Sequence, residues 1–343
     1  MVRPVAAAWA LGLVALAVAC APTLPDNVPI VTTPRVLGVQ ASPPEAKPKT
    51  TTTFTALVVD DKGSVTTPKA TWAFCNARNT LANLEPVSNE CYVEGDPNLL
   101  PIGEGETAAA ALPDIACRQF GPDVPVPVMG QPPGRPVDPD TTGGYYQPVS
   151  VFLGGVASIY RARLSCGVAG AGPDQAAAYN SRYRANVNPE VASLSAGGAT
   201  WAVDTSGKTN TVRAGRKVEL EVSWPTCPLV DKCGDGVCGA DETKSECPAD
   251  CTNPKGCPGA ERFVNFDLVS QQVVDAREGI HVSWFATGGS FDLDRTGSGA
   301  TDTATNSQNG WTPPTQKGPA HVWVVLHDDR GGVGWAGYAV HVE

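Results

Sequence analysis

Apolar and polar residues alternate in short stretches along the first part of the chain. Residues 37–41 and 53–59 carry alternating or β-branched apolar positions, and Asp-Asp-Lys-Gly at 60–63 closes the second stretch as a turn. Residues 71–75 follow with the same character. Because side chains along a β-strand point to opposite faces in turn, this period of two predicts strands that are buried on one face.

The same alternation returns after a long gap. In residues 160–166, apolar side chains fall on one face, while Arg161, Arg163 and Ser165 fall on the other, which predicts a strand. Residues 76–148 between the two regions are rich in proline, glycine and acidic residues, and we expect a long loop held by disulfides. The one helical pattern covers residues 174–184, with Pro173 at its start.

A second unit of strands is predicted from residue 188 onwards. Residues 218–224 alternate apolar and charged positions, and residues 281–285 form another strand pattern. Residues 322–326 are expected to pair with 338–340 across a turn at 328–332, where we expect Asp328 and Asp329 to lie in solvent. Short strands with frequent turns, each group containing a tryptophan-bearing strand, predict an all-β chain of two β-sandwiches in tandem.

Composition agrees with a turn-rich, exported protein. The 343 residues include 36 Gly, 31 Pro and 11 Cys, and 25 basic against 35 acidic residues give a net charge of −10. Frequent glycine and proline favour turns over long helices. An excess of acidic residues argues against a nucleic-acid partner, because phosphate neutralisation needs clustered Lys and Arg.

The N-terminal residues have the layout of a secretory signal. Arg3 precedes an apolar run at 5–18, which is short for a permanent membrane span. The sequence Leu-Ala-Val-Ala-Cys at 16–20 resembles the bacterial lipobox. The resemblance implies that residues 1–19 are removed and that Cys20 is acylated and anchored in the bilayer; an ordinary signal peptide cleaved near Ala19 or Ala21 is the alternative.

Two further expectations concern the anchor. Residues 20–34, with prolines at 22, 25, 29 and 34, are expected to form a stiff tether. By the same resemblance, Ala21 is not the Asp that retains lipoproteins at the inner membrane, so the outer membrane is expected.

Ten cysteines remain besides Cys20, an even number that allows five disulfides in an oxidising compartment. Spacing alone does not fix their connectivity. We expect Cys75 to pair with Cys91 and Cys117 with Cys166. The other six are expected to pair among themselves: Cys227, Cys233, Cys238, Cys247, Cys251 and Cys257.

The cysteine-rich insert at about 226–258 contains the sharpest motif. Cys-Gly-Asp-Gly-Val-Cys at 233–238, followed by Cys-Pro-Ala-Asp-Cys at 247–251, resembles small repeats in surface proteins of myxobacteria and related bacteria, and distantly the Notch-type cysteine repeats. The Notch-type repeats hold calcium, and carboxylates are the ligands that calcium prefers. Disulfides alone, a calcium site and a zinc site made by the cysteines all remain open. The candidate calcium ligands are Asp235, Asp241, Glu242 and Asp250.

The domain layout also carries a resemblance. Residues 35–75 and 188–343 look like bacterial immunoglobulin-like domains, and Trp-Phe-Ala-Thr-Gly-Gly-Ser at 284–290 is loosely similar to a turn in polycystic-kidney-disease-type domains. The whole layout is similar to exported myxobacterial lipoproteins. We therefore expect one immunoglobulin-like sandwich at 35–187 and a second at 188–343 that carries the insert, with Trp72 and Trp284 in their cores.

No catalytic motif is found, and the acidic turns at 138–144 and 292–297 are interpreted as polar loops. The leading hypothesis is a non-enzymatic envelope lipoprotein that acts as a structural or protein-binding module. One alternative is an adhesin for glycan or matrix, with Tyr145, Tyr146 and Trp311 as exposed aromatic contacts. The other is an enzyme of unrecognised type, which a cleft joining distant carboxylates would reveal.

Overall fold

The computed structural model describes residues 28–79, 86–122, 129, 139–252 and 256–343. The predicted signal peptide, Cys20 and most of the predicted tether lie outside the described residues. No helix within these ranges is both long and apolar enough to cross a membrane.

The first sandwich consists of two sheets. One sheet has the strand order β1-β3-β4, and β7 also pairs with β3. The second sheet has the order β2-β9-β8-β5-β6. Neighbouring strands are antiparallel except for β2 and β9. The strands are β1 Arg35–Ser42, β2 Glu45–Ala46, β3 Thr51–Asp60, β4 Gly63–Ser64, β5 Ala70–Cys75, β6 Leu99–Glu104, β7 Thr107–Ala111, β8 Tyr145–Leu153 and β9 Val156–Leu164.

The core of this sandwich lies where alternate residues of β3 meet the second sheet. Phe54 contacts the rings of Trp72, Phe74 and Tyr160. These side chains are buried, as expected for Trp72. Aromatic side chains bury large areas, so this cluster supplies much of the apolar contact between the two sheets.

The expectation of one long loop at 76–148 is wrong in part. The described residues of this region include β6, β7, the short helix α1 Ala116–Phe120 and a 3-10 helix at Asn89–Tyr92. β7 is rich in alanine, a poor strand former, and becomes a strand because Thr107–Ala111 pairs with β3. β6 contains Pro101, which an edge strand tolerates.

The second sandwich pairs a sheet of order β11-β10-β13-β19-β17 with a sheet of order β12-β21-β20-β16-β18. A separate hairpin, β14-β15, precedes β16. The strands are β10 Ser193–Ala196, β11 Ala199–Thr200, β12 Asn210–Val212, β13 Val218–Ser223, β14 Arg262–Asp267, β15 Gln272–Arg277, β16 Ile280–Ala286, β17 Ser290–Phe291, β18 Arg295–Ser298, β19 Asn306–Thr312, β20 Gly318–Asp328 and β21 Val333–Val342.

Tryptophans fill the core of the second sandwich. Trp284 and Trp311 are fully buried, and Phe291 packs between their rings. The predicted pairing of 322–326 with 338–340 is confirmed, since β20 and β21 form one long antiparallel ladder. The all-β class, with sandwiches and disulfides, is therefore as the sequence predicts.

The predicted helix is present as α2 Pro173–Arg182, and it ends two residues earlier than expected because Tyr183 is extended. Pro173 occupies the first turn, where its missing N–H is not needed. A third short helix, α3 Pro248–Cys251, lies in the insert.

The two sandwiches pack face to face. Gln40 donates to the Val333 carbonyl at 2.6 Å, and the Trp323 indole donates to the Ser64 hydroxyl at 3.0 Å. Apolar residues of β20 and β21 belong to the same buried cluster as the first sandwich. The outer face of the β1-β3 sheet thus covers the outer face of the β20-β21 sheet. The apolar cluster of the first sandwich continues across this interface to Trp323, Val325 and Val333, while the second sandwich keeps a core of its own.

The residues that precede β1 lie on the second sandwich. The Val31 amide donates to the Ala286 carbonyl at 2.8 Å, and the Ala286 amide donates to the Pro29 carbonyl at 3.0 Å. Val31 is buried, and Ile30 forms a parallel bridge with Ala286. The described part of the predicted tether is therefore held against the edge of β16 before the chain enters the first sandwich.

Ten cysteines form five disulfides. The pairs Cys75–Cys91 and Cys117–Cys166 are those expected from the sequence. The six cysteines of the insert pair among themselves, also as expected, as Cys227–Cys257, Cys233–Cys247 and Cys238–Cys251.

Candidate functional site

The insert leaves the second sandwich after β13 and returns before β14, and Cys227–Cys257 joins its two ends. Inside it, Cys233–Cys247 and Cys238–Cys251 fix the Cys-Gly-Asp-Gly-Val-Cys loop to the region around α3. A segment this short has little apolar surface to bury, so covalent links replace a core.

Three carboxylates converge inside the insert. Asp235, Glu242 and Asp250 each place an oxygen within 4.8 Å of the other two. Ligands of one Ca²⁺ lie about 2.3–2.6 Å from the ion, so two ligand oxygens can be up to about 5 Å apart. The three carboxylates therefore have the spacing of a shared cation site.

Local backbone geometry aims Asp250 at this point. The backbone amides of Gly234 and Gly236 both donate to the Asp250 carboxylate. Both glycines have positive φ, 91° and 85°, a conformation that other residues rarely adopt. This explains why the motif places a glycine on each side of Asp235.

Glu242 is the residue that distinguishes this cluster from an ordinary acidic loop. It is only 4% exposed, and its Oε2 accepts the Gly239 amide at 2.9 Å. Its Oε1 is buried and has no hydrogen-bond partner among the described residues. Because a buried carboxylate oxygen without a partner is costly, a bound cation is a physical solution to this arrangement.

The fourth expected ligand, Asp241, lies elsewhere. Its carboxylate pairs with the Arg182 guanidinium at 2.7 Å and with Arg262 at 3.3 Å. Asp241 therefore fastens the insert to α2 and β14 and is not brought together with the other three acids.

A zinc site made by the cysteines does not fit this geometry. Cys233 and Cys247, and likewise Cys238 and Cys251, lie near Glu242, but each pair is a disulfide. A thiolate, not a disulfide sulfur, is the zinc ligand. The donors that remain are carboxylate oxygens, which suit calcium.

Arg184 connects the insert to the rest of the molecule. Its Nε donates to Cys238 Sγ at 3.0 Å, and its terminal nitrogen donates to the Glu242 carbonyl. In turn, the Arg184 carbonyl accepts a hydrogen bond from Arg330 at 2.9 Å. Arg184 therefore links the backbone of Glu242, a candidate ligand, to Arg330 in the turn between β20 and β21.

The turn at 328–332 is the largest departure from the sequence prediction, which placed it in solvent. Arg330 has 0% exposure and Asp328 has 6%. Arg330 donates to Glu278 at 2.6 Å and to Glu261, and its guanidinium lies over the Phe263 ring. The turn is buried because the first sandwich and the residues after α2 cover it.

A second buried ion pair lies beside the first. The Arg163 Nε is 3.3 Å from Glu45, and both side chains are 1% exposed. The Tyr183 hydroxyl and the Asn186 amide also donate to Glu45. Arg163 is buried because the segment after α2 lies over this end of β9.

These two ion pairs form one network, which we call the junction network. The Asn186 side chain joins them by donating to Asp328 at 3.2 Å, while its backbone amide donates to Glu45. Four buried carboxyl groups here face two buried guanidinium groups. The members are Glu45, Glu261, Glu278, Asp328, Arg163 and Arg330.

Burial shifts the protonation of the network. It raises the pKa of Glu261 to about 7, even though Arg330 and backbone amides pull it down. Burial also raises the pKa of Glu278 well above its usual range, and that of Asp328. Burial therefore favours the protonated form of these three carboxyl groups, which offsets the excess of carboxyl groups over guanidinium groups.

A cleft of about 430 Å³ lies beside the network, between the two sandwiches. It brings together carboxylates from two distant parts of the chain, Asp140 and the adjacent pair Asp328 and Asp329. Asp140 accepts bonds from Thr142 and Gly144, and Asp329 from His281 at 2.9 Å. These bonds outweigh burial and lower the pKa of Asp140 and Asp329, whereas burial raises the pKa of Asp328. The cleft therefore places one carboxyl group that favours its protonated form near two that favour the carboxylate form.

The aromatic residues expected at a glycan-binding surface are not available for stacking. Tyr145 is 2% exposed and Trp311 is 0% exposed. Tyr146 lies under the Arg161 guanidinium, whose carbon is 4.2 Å from the centre of the tyrosine ring.

Asp292 in the second acidic turn pairs with Lys217 at 2.5 Å.

No protein-family model matches the chain, and comparison with curated proteins finds no match. Among solved structures, the fibronectin(III)-like modules of Clostridium thermocellum CbhA are 10% identical, with 89% of this chain and 94% of that chain covered and a TM-score of 0.21. The Yersinia pseudotuberculosis adhesin InvE is 12% identical, with 88% of this chain and 58% of that chain covered and a TM-score of 0.20. Similarities this low carry no argument about function, so the fold rests on the sheets described above.

Proposed function

We propose that the chain is a non-enzymatic lipoprotein of the bacterial envelope, anchored in the outer membrane through Cys20, whose sandwiches form a rigid structural or protein-binding module. The observation that carries the proposal is the packing of both sandwiches into one unit with a buried junction network. Five disulfides in the described residues suit an oxidising compartment outside the cytosol.

Metabolic labelling with palmitate, combined with the Cys20→Ser variant, tests the anchor. We expect label in the wild-type chain and none in the variant, which should be released from washed membranes. An unlabelled wild-type chain, or a variant that stays bound, contradicts the anchor. Crosslinking in intact cells followed by mass spectrometry then tests the protein-binding role, with envelope proteins expected as neighbours.

We also propose that the insert binds Ca²⁺ through Asp235, Glu242 and Asp250. The buried, unpartnered Oε1 of Glu242 supports this proposal. Ligand binding to the folded state alone stabilises it by about 2.7 kcal/mol at a concentration one hundred times Kd. We therefore expect Ca²⁺ to raise the melting temperature of the wild-type chain, and to have little effect on Glu242→Gln.

Asp241→Asn is the matched control, since Asp241 lies in the same insert but is held by Arg182 and Arg262. This variant should keep the calcium response. Calorimetric titration with Ca²⁺ measures binding directly, and a wild-type chain that shows neither heat nor a shifted melting temperature contradicts the site.

A further inference from the structure

The sandwiches have two distinct ends along the direction of their strands. At one, which we call the tether end, residues 29–31 lie against Ala286. Ala286 pairs with Val322 near the start of β20, whereas Ile280 pairs with Asp328 at its finish. The other end, which we call the insert end, therefore holds the junction network and the cysteine-rich insert.

Two loops of the second sandwich extend from the tether end. They are residues 213–217, between β12 and β13, and residues 313–317, between β19 and β20. The Gly215 amide donates to the Pro314 carbonyl at 3.2 Å, so the loops lie against each other. A Cβ at Gly288 would be 2.9 Å from Pro314, which places the loops close to Ala286 and the docked residues.

These two loops are basic in a chain of net charge −10. Arg213, Arg216 and Lys317 are exposed and form no ion pair within the described ranges. Lys217 pairs with Asp292 and Glu219, and Glu343 lies beside the loops, so these three acidic residues offset part of the charge of the four cations. The insert end has the opposite sign, with six acids against three lysines in residues 227–257.

The length of the chain limits where the bilayer lies. Eight peptide steps separate Cys20 from Val28, and each spans at most about 3.6 Å, so acyl chains on Cys20 are within about 29 Å of Val28. The loops at 213–217 and 313–317 are within this reach. Charge then selects the orientation, because an anionic leaflet attracts the basic end and repels the acidic one.

We infer that loops 213–217 and 313–317 form a surface that contacts anionic phospholipid headgroups, so that the insert end points away from the bilayer. This inference rests on the proposed anchoring at Cys20. It makes the candidate calcium site and its acidic surroundings the part of the molecule presented to other envelope components.

Photocrosslinking to lipid tests the orientation in the full, acylated chain. A benzoylphenylalanine is placed at Gln316 on the basic loops or at Ser245 in the insert, both exposed. Each protein is reconstituted in vesicles of phosphatidylethanolamine and phosphatidylglycerol that carry a traceable lipid. We expect lipid adducts from position 316 to exceed those from position 245 by about tenfold, since only the first lies at the headgroups.

Charge variants test the chemistry of the contact. Arg213→Gln with Arg216→Gln and Lys317→Gln should lower the yield from position 316 by about fivefold or more, because each cation near an anionic surface favours contact. Lys232→Gln with Lys244→Gln removes two exposed cations from the insert and should leave the yield unchanged. Replacing phosphatidylglycerol by neutral lipid should lower the yield of lipid adducts from position 316 in the same way as the triple variant does.

Flotation separates this inference from the anchoring proposal. A protein that floats with the vesicles but gives equal adducts from both positions, or more from 245, overturns the orientation and leaves the anchor intact. A triple variant with an unchanged yield overturns the role of the cations. A wild-type chain that does not float overturns both proposals.

Discussion

Arg330 is the residue on which the junction depends most. It has no exposed surface, and its guanidinium is shared between Glu278 and Glu261 while it also donates to the Arg184 carbonyl. Because both carboxylates are buried, their compensation comes from this one cation. Burying these charged side chains is therefore tolerable only when Arg330 and both carboxylates are present together.

Removing this cation should be strongly destabilising. We expect Arg330→Met to lower the free energy of unfolding by about 3–5 kcal/mol, since it leaves buried carboxylates without a partner. Adding Glu261→Gln and Glu278→Gln should recover a large part of that loss. Urea denaturation followed by tryptophan fluorescence measures both, and a triple variant no better than the single one would contradict the account.

The network also sets a pH dependence. Glu261 has a pKa of about 7 in the folded chain and 4.5 ordinarily, so between these values the folded state holds a proton that the unfolded state has lost. Stability from this group therefore falls as pH rises through that window, and Glu278 and Asp328 act in the same direction. His327 acts oppositely below pH 6.5, because burial lowers its pKa to about 4.

Above pH 6.5 the carboxyl groups act together with His281, whose pKa is raised by its hydrogen bond to Asp329 and whose contribution to stability is likewise lost as pH rises. We expect the free energy of unfolding to drop by about 1–2 kcal/mol between pH 6.5 and 8, which corresponds to roughly one proton. Glu261→Gln should flatten the decline in that range. His327→Gln should leave it unchanged there and alter only the dependence below pH 6.5.

At the scale of elements, the insert behaves as a separate loop on the second sandwich. Its two ends are joined by Cys227–Cys257, whose Cα atoms are 5.7 Å apart, and β13 and β14 flank it. Its polar contacts run to Arg182 at the end of α2, to Arg184 just after this helix and to Arg262 in β14. The core of Trp284 and Trp311 does not include residues of the insert.

Excising residues 228–256 and joining Cys227 to Cys257 by a short glycine linker should therefore preserve the fold. We expect near-ultraviolet circular dichroism from the buried tryptophans to be retained and the calcium response to be lost. Stability should fall by about 1–2 kcal/mol from the partly exposed salt bridges of Asp241. It should fall further because the buried Asp231–Arg262 pair and the packing of Ala240 against Tyr179 are also removed. Loss of the tryptophan signal would show instead that the insert is part of the sandwich core.

Two apolar runs in the sequence indicate which strands are buried on both faces, in addition to predicting that they are strands. Residues 56–59 and 322–326 are continuously apolar instead of alternating. In the structure, Ala56 and Val58 face the first core while Leu57 and Val59 face the second sandwich. A continuous run therefore signals a strand buried on both faces, and here the second face is the interface between sandwiches.

The junction network could not be predicted in the same way. Glu45, Arg163 and Arg330 carry charges that in sequence favour exposed positions, and their hydrogen-bond partners lie up to 146 residues away along the chain. Burial of such residues depends on three segments meeting: the β20-β21 turn, the end of β9 and the chain after α2. The three carboxylates of the insert were predictable because cysteine spacing confines them locally.

At the scale of the whole molecule, the face-to-face packing of the sandwiches sets its rigidity. The β1 backbone lies close to the second sandwich at Gly38, where a Cβ would lie 3.3 Å from Val325 and 3.4 Å from Val333. Two buried valines and the nearby Trp335 ring leave little room for a larger side chain there.

Gly38→Leu should consequently force the sandwiches apart. We expect the single cooperative unfolding transition of the wild-type chain to split into two, and small-angle X-ray scattering to show a larger radius of gyration, because each sandwich keeps its own core while the shared interface is lost. Gly299→Leu is the matched control, since no atom lies within 4 Å of a Cβ at that position. A Gly38→Leu protein that unfolds in one transition with unchanged scattering would mean that the interface repacks, and that the rigidity of the pair does not depend on this contact.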